Sequence, residues 1–275
     1  MINIFYTLDK KYFTQLFLSL ISLVKNTKEA LNVTLLTLEV DEIAPNKPKV
    51  TEEQRALCEQ LLKTGNPESK VNLVDVSDLF KKRLLPSVNV HNKFYHYFVT
   101  IRLVADLVPE IGDKVLYFDT DVFLNGDVKE LYDIDNSKYE VIGRRDAGRV
   151  TNYIHSAVML LNMKLIRQNG TFEKACERCR NEKIFVYLDM TALNRATKSK
   201  KSISTRYCSF SYNPDILVQH LCGVREGKLF LSKKWRHRIK PDEEELMLKK
   251  LPVYKKYYDV LNEYREKYPE AFKLN

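Results

Sequence analysis

Lys114-Val-Leu-Tyr-Phe-Asp-Thr-Asp-Val-Phe-Leu124 decides how the chain is read, because an apolar run there breaks into two carboxylates one residue apart. Val115 to Phe118 is short, continuous and rich in β-formers, which predicts a buried strand. Side chains alternate along a strand, so Asp119 and Asp121 are expected on one side of it. In an open α/β sheet the carboxyl ends of the strands border the crevice where ligands bind. Two anions crowded there repel one another unless a cation lies between them. The pattern therefore asks for a divalent metal, and a metal at such an edge commonly carries phosphates. Carboxylates also end strands as turn residues and caps, so the flanking sequence has to separate the two readings.

Upstream, strands and helices alternate. Ile2 to Thr7 reads as a strand, and Tyr12 to Lys25 carries Phe13, Leu16, Phe17, Leu20, Leu23 and Val24 at helical spacing. Asn32 to Leu38 and Val71 to Val76 are further strands. Thr51 to Lys63 is a helix opened by a Thr cap with Glu52 and Glu53 in its first turn. Phe94 to Leu107 predicts a helix closed by Pro109. Beyond the Asp pair, Val141 to Arg144 and Ala157 to Leu161 read as strands, Phe172 to Glu182 and Asp189 to Ala196 as helices. Such alternation predicts an α/β fold with a mostly parallel sheet covered on both faces.

The chain has 275 residues, enough for one large α/β domain and an appendage. Eight glycines and nine prolines leave no room for a long flexible linker. Net charge is +9, which favours anionic partners, whether nucleotide, nucleic acid or membrane surface. No nucleic-acid module is legible, so no nucleic-acid partner is expected. Five cysteines in so large a chain suggest reduced thiols and a cytoplasmic protein. Cys176 and Cys179 lie one helical turn apart without a second pair at zinc-ribbon spacing. The start, Met-Ile-Asn-Ile-Phe-Tyr, reads as the first strand and not as a leader. No stretch reaches the roughly 20 apolar residues of a membrane span.

Taken in order, these segments resemble glycosyltransferase family 8, nucleotide-sugar transferases of the GT-A fold, from Ile2 to about Gly223. The resemblance implies one Rossmann-like GT-A domain over 1–240, its mostly parallel sheet flanked by helices, and a helical, basic, aromatic tail over 241–275. Phe5-Tyr-Thr-Leu-Asp-Lys-Lys-Tyr12 is similar to the segment that holds uracil, which assigns Thr7, Asp9 and Tyr12 to the base. Arg102 stands where the family has an Arg ahead of a leucine-proline turn. A buried Arg needs anionic partners, and the diphosphate or a donor-binding carboxylate would serve. Lys114 to Ile134 follows the family pattern throughout. By resemblance, Asp119 and Asp121 become ligands of a manganese ion bridging the diphosphate, with Phe118-Asp119-Thr120 along the ribose.

Tyr153-Ile-His-Ser-Ala-Val-Met-Leu-Leu-Asn162 resembles the segment near the donor sugar, with His155 in place of an Asn, Ser156 matching, and Ala157 in place of a Gly. Leu188-Asp-Met-Thr-Ala-Leu-Asn194 keeps the first Asp as Asp189 but has Met190 for a Gln and Thr191 for a second Asp. A thioether cannot copy the hydrogen bonds of that Gln. Val218-Gln-His-Leu-Cys-Gly223 resembles the His-x-x-Gly that supplies a third metal ligand, His220, with Gly223 matching. The Lys expected three residues later is Glu226, which leaves Arg225 or Lys228 to reach the diphosphate.

The resemblance thus implies an enzyme: a retaining hexosyltransferase that moves sugar from a UDP-sugar to a carbohydrate or lipid-linked glycan hydroxyl, with Mn²⁺ (or else Mg²⁺) as cofactor. Asp189 and Arg102 are the catalytic candidates, and Met190 excludes a covalent intermediate at its position. From Arg225 to Asn275 there are 14 Lys/Arg and 9 Asp/Glu, a balance of 14 − 9 = +5, interleaved with tyrosines. That tail is either a foot on anionic membrane or a helix packed on the domain. Two rivals stand beside the transferase. A haloacid-dehalogenase phosphohydrolase also places Asp-x-Asp after a strand, though Phe123 fits its pattern poorly. A catalytically impaired relative would bind nucleotide-sugar or a protein without turnover.

Overall fold

The computed structural model describes residues 1–87, 89–91, 97–146, 152–183, 187–210, 215–221, 224–226, 233–235, 244–250 and 254–273. The chain opens in β1 (Ile2–Thr7), then α1 (Phe13–Asn26), β2 (Leu31–Thr37), α2 (Glu52–Gly65), β3 (Lys70–Asp75) and α3 (Ser77–Arg83). Thr51 and Gln54 close a reciprocal capping box at the start of α2. Next come β4 (Lys114–Phe118), β5 (Val122–Leu124), α4 (Lys129–Tyr132), β6 (Val141–Arg145), β7 (Ile154–Asn162), α5 (Met163–Asn169), α6 (Thr171–Asn181) and α7 (Leu188–Ala196). The last elements are β8 (Lys200–Ile203), β9 (Val218–His220), β10 (Val224–Glu226), β11 (Lys233–Trp235), α8 (Glu244–Lys250) and α9 (Lys255–Lys267).

Seven strands form the main sheet in the order β3-β2-β1-β4-β7-β6-β8. β3, β2, β1 and β4 run parallel, β7 is antiparallel to both β4 and β6, and β8 is parallel to β6. The sheet is mixed and mostly parallel, as expected. Alternation divides its side chains between two cores. Ile4, Tyr6, Val33, Leu35 and Leu116 pack with α1 on one face. Phe5, Leu36, Val115 and Tyr117 join the helices of the other face, α6 and α7 among them. At Gly143, where β6 slips register against β7, a Cβ would lie 2.6 Å from Ile154 Cγ2 and 2.9 Å from the Val158 carbonyl. Only glycine permits that approach.

Tyr97–Leu107 is a 3₁₀ helix, where the sequence predicts an α-helix over Phe94 to Leu107; residues 92–96 lie outside the described residues. Two side chains bond carbonyls three residues back: Thr100 Oγ1 to Tyr97 (2.6 Å) and Arg102 Nε to Val99 (3.0 Å). Such local bonds compete with the α ladder, and they fit the tighter winding. α3, α5 and β8 were not anticipated, being short and weakly periodic. The described cysteines Cys58, Cys176, Cys179 and Cys208 are free and buried. Burial pushes the Cys179 thiol up to about 12, so it is inert. No described helix is long and apolar enough to cross a membrane.

The tail is helical, as expected, and its aromatic residues face inward. Tyr254, Tyr257, Tyr258 and Leu261 are buried with Leu18 of α1 and Phe123 of β5. Tyr257 meets Phe123 at 4.8 Å, and Phe17 meets Tyr268 and Phe272 at 5.6 and 6.0 Å. The packed-helix alternative therefore describes these rings, which are not free to insert into a bilayer. The exposed charges of α9 pair locally, Lys255 with Asp259 and Lys267 with Glu263. Truncating a buried aromatic costs about 3–5 kcal/mol. Tyr258→Ala is expected to lower the melting temperature by roughly 6–20 °C, at about 2–4 °C per kcal/mol. Calorimetry would check it, and a loss under 2 °C would show that the tail is not docked.

Candidate active site

Asp119, Thr120 and Asp121 occupy the turn between β4 and β5, at the carboxyl end of the strand next to β1. Two pairings fix this turn. β4 runs against β7, and the Asp119 N–H donates to the Ala157 carbonyl at 2.9 Å. β5 runs against β9 with Val122 opposite His220, and the Leu221 N–H donates to the Asp121 carbonyl at 2.7 Å. That short ribbon carries His220 from the far end of the sequence to the carboxylates. His220 Nε2 lies 3.1 Å from Asp121 Oδ1 and 4.0 Å from Asp119 Oδ2. One ligand atom from each of the three falls within 4.8 Å of the others. Mixed oxygen and nitrogen donors at that spacing fit a divalent cation.

Arg102 is 3% exposed, a buried guanidinium beneath these carboxylates. It donates to Asp119 Oδ1 (3.0 Å), to the Ser156 carbonyl (2.5 Å) and to the Val99 carbonyl, and lies 3.5 Å from Asp189 Oδ2. Its Cζ is 4.2 Å from the Tyr117 ring centre. Burial works against its charge, but Tyr117, Asp119 and Asp189 outweigh burial and hold its pKa above the ordinary arginine value. Of the two partners foreseen for this Arg, the structure supplies the carboxylates. Tyr117 donates to Asp119 Oδ1 at 2.6 Å and meets Thr7 Oγ1 at 3.2 Å. Burial raises the Tyr117 pKa well above 10, so the phenol stays a donor.

Around these groups lies a cavity of about 380 Å³. Thr7, Tyr12, Arg102, Asp119, Thr120, Asp121, His155, Ser156, Asp189 and His220 all line it, ten positions singled out in the sequence. Met190 and Tyr187 also reach it. Asn194 ties β7 to α7, accepting from the Ile154 N–H (2.7 Å) and donating to the Ile154 and Met190 carbonyls (2.8 Å each).

Two expectations change. The Phe118 side chain is fully buried in the core beside Tyr6, at 6.0 Å, so only its backbone can approach a ribose. Asp9 does not line the cavity but is buried behind it at 1% exposure, with neither oxygen making a well-formed hydrogen bond. Burial raises its pKa, partly offset by Lys47 and the Lys11 and Tyr12 N–H groups. Gly223 and Lys228 lie outside the described residues, and Arg225 is placed only by its backbone in β10.

Three residues of the site were not singled out. Tyr117 sits two positions before Asp119, so strand alternation could have placed both on one side. Tyr187 is 57% exposed at the cavity mouth with φ +49°, a left-handed conformation that costs a non-glycine residue of order 1 kcal/mol or more. Cys208 touches both His155 and His220; burial pushes its thiol up, but the two imidazoles bring it down to about 6.

A mixed, mostly parallel sheet with this carboxylate–imidazole cleft at its carboxyl edge defines a GT-A fold. A sequence profile of glycosyl transferase family 8 matches residues 3–248, and the chain belongs to that family. A "Putative glycosyltransferase" of Haemophilus influenzae is 21% identical over 86% of this chain and 74% of its own length. A lipopolysaccharide 1,3-galactosyltransferase of Salmonella typhimurium is 25% identical over 70% of this chain, which spans 58% of that protein. Among solved structures, the galactosyltransferase LgtC in complex with donor and acceptor sugar analogues superposes with a TM-score of 0.62 at 19% identity, over 81% of this chain and 87% of LgtC. The glycosyltransferase GlyE of Streptococcus pneumoniae superposes at 0.63 and 17% identity, over 97% of this chain and 64% of its own. The phosphohydrolase alternative falls with the family assignment.

Asp9 offers a test of stability against binding. Its raised folded pKa means its charge opposes folding once pH rises through that value; below the ordinary carboxylate range the penalty is gone. Asp9→Asn is expected to stabilise the chain by about 1–2 kcal/mol at pH 7, raising the melting temperature by roughly 2–8 °C. The gain should vanish near pH 3. Melts at both values would check it, and equal gains would refute the assignment to a buried charge.

Proposed function

We propose that this family 8 glycosyltransferase transfers a hexose from a UDP-sugar to a hydroxyl of a carbohydrate or lipid-linked glycan, with retention of anomeric configuration. The observation that carries the reading is the convergence of Asp119, Asp121 and His220 on a cavity also lined by Arg102 and Asp189. Those three would hold a divalent cation, manganese by donor set and magnesium second. When bound, it supplies Lewis-acid stabilisation of the departing diphosphate. Thr7 and Tyr12 line the end of the cavity where the resemblance puts the uracil. Arg102 holds Asp119 and Asp189 in place beside the cavity, a positioning role.

Asp189, 6% exposed and lining the cavity, would accept hydrogen bonds from donor-sugar hydroxyls. Met190 adds an apolar wall and no nucleophile, which favours a same-face route in which the departing phosphate oxygen takes the acceptor proton. The printed name of the Salmonella relative makes galactose the first sugar to try. Buried free thiols fit a reducing compartment, the cytoplasm.

Thermal shifts across UDP-sugars with and without Mn²⁺ should single out one donor that stabilises the chain only with the metal. Asp121→Asn is expected to cut transfer at least about a hundredfold, since even outer partners of a metal ligand are worth roughly 10–100-fold. Full manganese-dependent turnover in that variant would refute the mechanism. Nucleotide-sugar binding with no turnover on any donor would favour the impaired relative.

A further inference from the structure

Beside the carboxylate pair lies a second donor set that shares only His220 with it. His155, Cys208 and His220 each offer one ligand atom, all within 4.8 Å of one another. They come from three separate segments: the start of β7, the end of the 3₁₀ turn Thr205–Tyr207, and the end of β9. Cys208 is 1% exposed and in hydrogen-bond contact with both imidazoles. The Phe210 ring packs against both, at 5.1 Å from His155 and 5.0 Å from His220, while the two imidazoles lie 5.6 Å apart. Such packing holds the rings in place. His155 stands where the family pattern has an Asn, so this set belongs to the present chain and does not follow from the resemblance.

We propose that His155, Cys208 and His220 bind a thiophilic divalent cation, zinc foremost, which competes for His220 with the harder cation placed between Asp119 and Asp121. Two imidazoles and a thiolate are the donors such a cation prefers, whereas the carboxylate pair favours manganese or magnesium. Three protein ligands leave a fourth position for water. On binding, the Cys208 S–H bond breaks, the sulfur electron pair forms the metal–sulfur bond, and the proton leaves to solvent. The imidazoles coordinate as neutral rings through a lone pair. The Ala157 N–H donates to His155 Nδ1 at 3.2 Å, a long local bond that coordination through Nε2 would give up. The ring is half-buried, which leaves it room to adjust. Only the competition clause rests on the transferase reading.

Cobalt(II) is the probe, because a thiolate ligand gives it a charge-transfer band in the near ultraviolet. Titrating the full-length chain without oxygen should produce that band, and added zinc should remove it. The band should survive Asp119→Asn, which disables only the carboxylate site, and disappear in Cys208→Ser. If Cys208→Ser does not fold, His155→Asn at its half-buried position carries the test by weakening the band. No band in the unmodified chain, or a band undiminished by these substitutions, overturns the site. For the competition clause, zinc should raise the manganese concentration needed for half-maximal transfer, and less so in His155→Asn. An absence of transfer activity would sink the transferase reading while leaving the cobalt result intact.

Discussion

Three carboxylates share one cleft here because a single guanidinium is locked beneath two of them. Arg102 bridges Asp119 and Asp189, and it also donates to the carbonyls of Ser156 and Val99. Without that charge, nothing would offset the mutual repulsion of Asp119, Asp189 and Asp121. Breaking such a buried pair costs about 3–5 kcal/mol, chiefly because the abandoned charge stays buried. The arrangement also fixes geometry, since a planar fork holds each acceptor in a set direction. A lysine at this position could not replace it.

That anchor explains why the 3₁₀ winding of Tyr97–Leu107 matters to the site. Arg102 bonds the carbonyl three residues behind it while reaching across to Ser156 in β7 and to the turn after β4. Apart from Thr100, Arg102 and Asp106 the segment is almost wholly apolar, and the first two bond carbonyls three residues back. The apolar neighbours bury the charge and the charge sets the winding. Hydrophobic periodicity reads the first of these and is blind to the second.

Much of the sheet was legible in the sequence because parallel, fully covered strands leave continuous runs of Val, Leu and Ile bounded by polar turns. β1, β2, β3 and β4 lie where those runs predict, within a residue or two. The convergence of Asp119 and Asp121 was also foreseen, but by the wrong mechanics. They do not sit on an extended strand; β4 ends at Phe118 and the pair lies in a turn. What holds them is the β5–β9 ribbon, two three-residue strands almost a hundred residues apart. Segments that short carry no periodicity, so only the resemblance could bring His220 to the site. Tyr187 was invisible for a related reason: a left-handed tyrosine breaks the usual turn chemistry and leaves no composition signal.

Apart from Glu226 in β10, the positions where this chain departs from its family pattern lie in β7 and α7. Met190 lines the cavity, His155 and Ala157 lie in β7, and Cys208 stands behind them in contact with His155. Thr7, Tyr12 and the carboxylate pair follow the pattern closely. Nucleotide recognition needs fixed groups at fixed positions, because base and diphosphate are the same for every UDP-sugar. Sugar and acceptor recognition has no such constraint, and sites grafted on a common fold vary where their ligands vary. Exchanging an amide for a thioether removes both a donor and an acceptor from the sugar wall, whereas Asn to His keeps a polar edge and adds a ring. A donor that fits would therefore present an apolar face toward Met190 and its hydroxyls toward Asp189. On the proposed function, the choice of sugar would be set across β7 and α7.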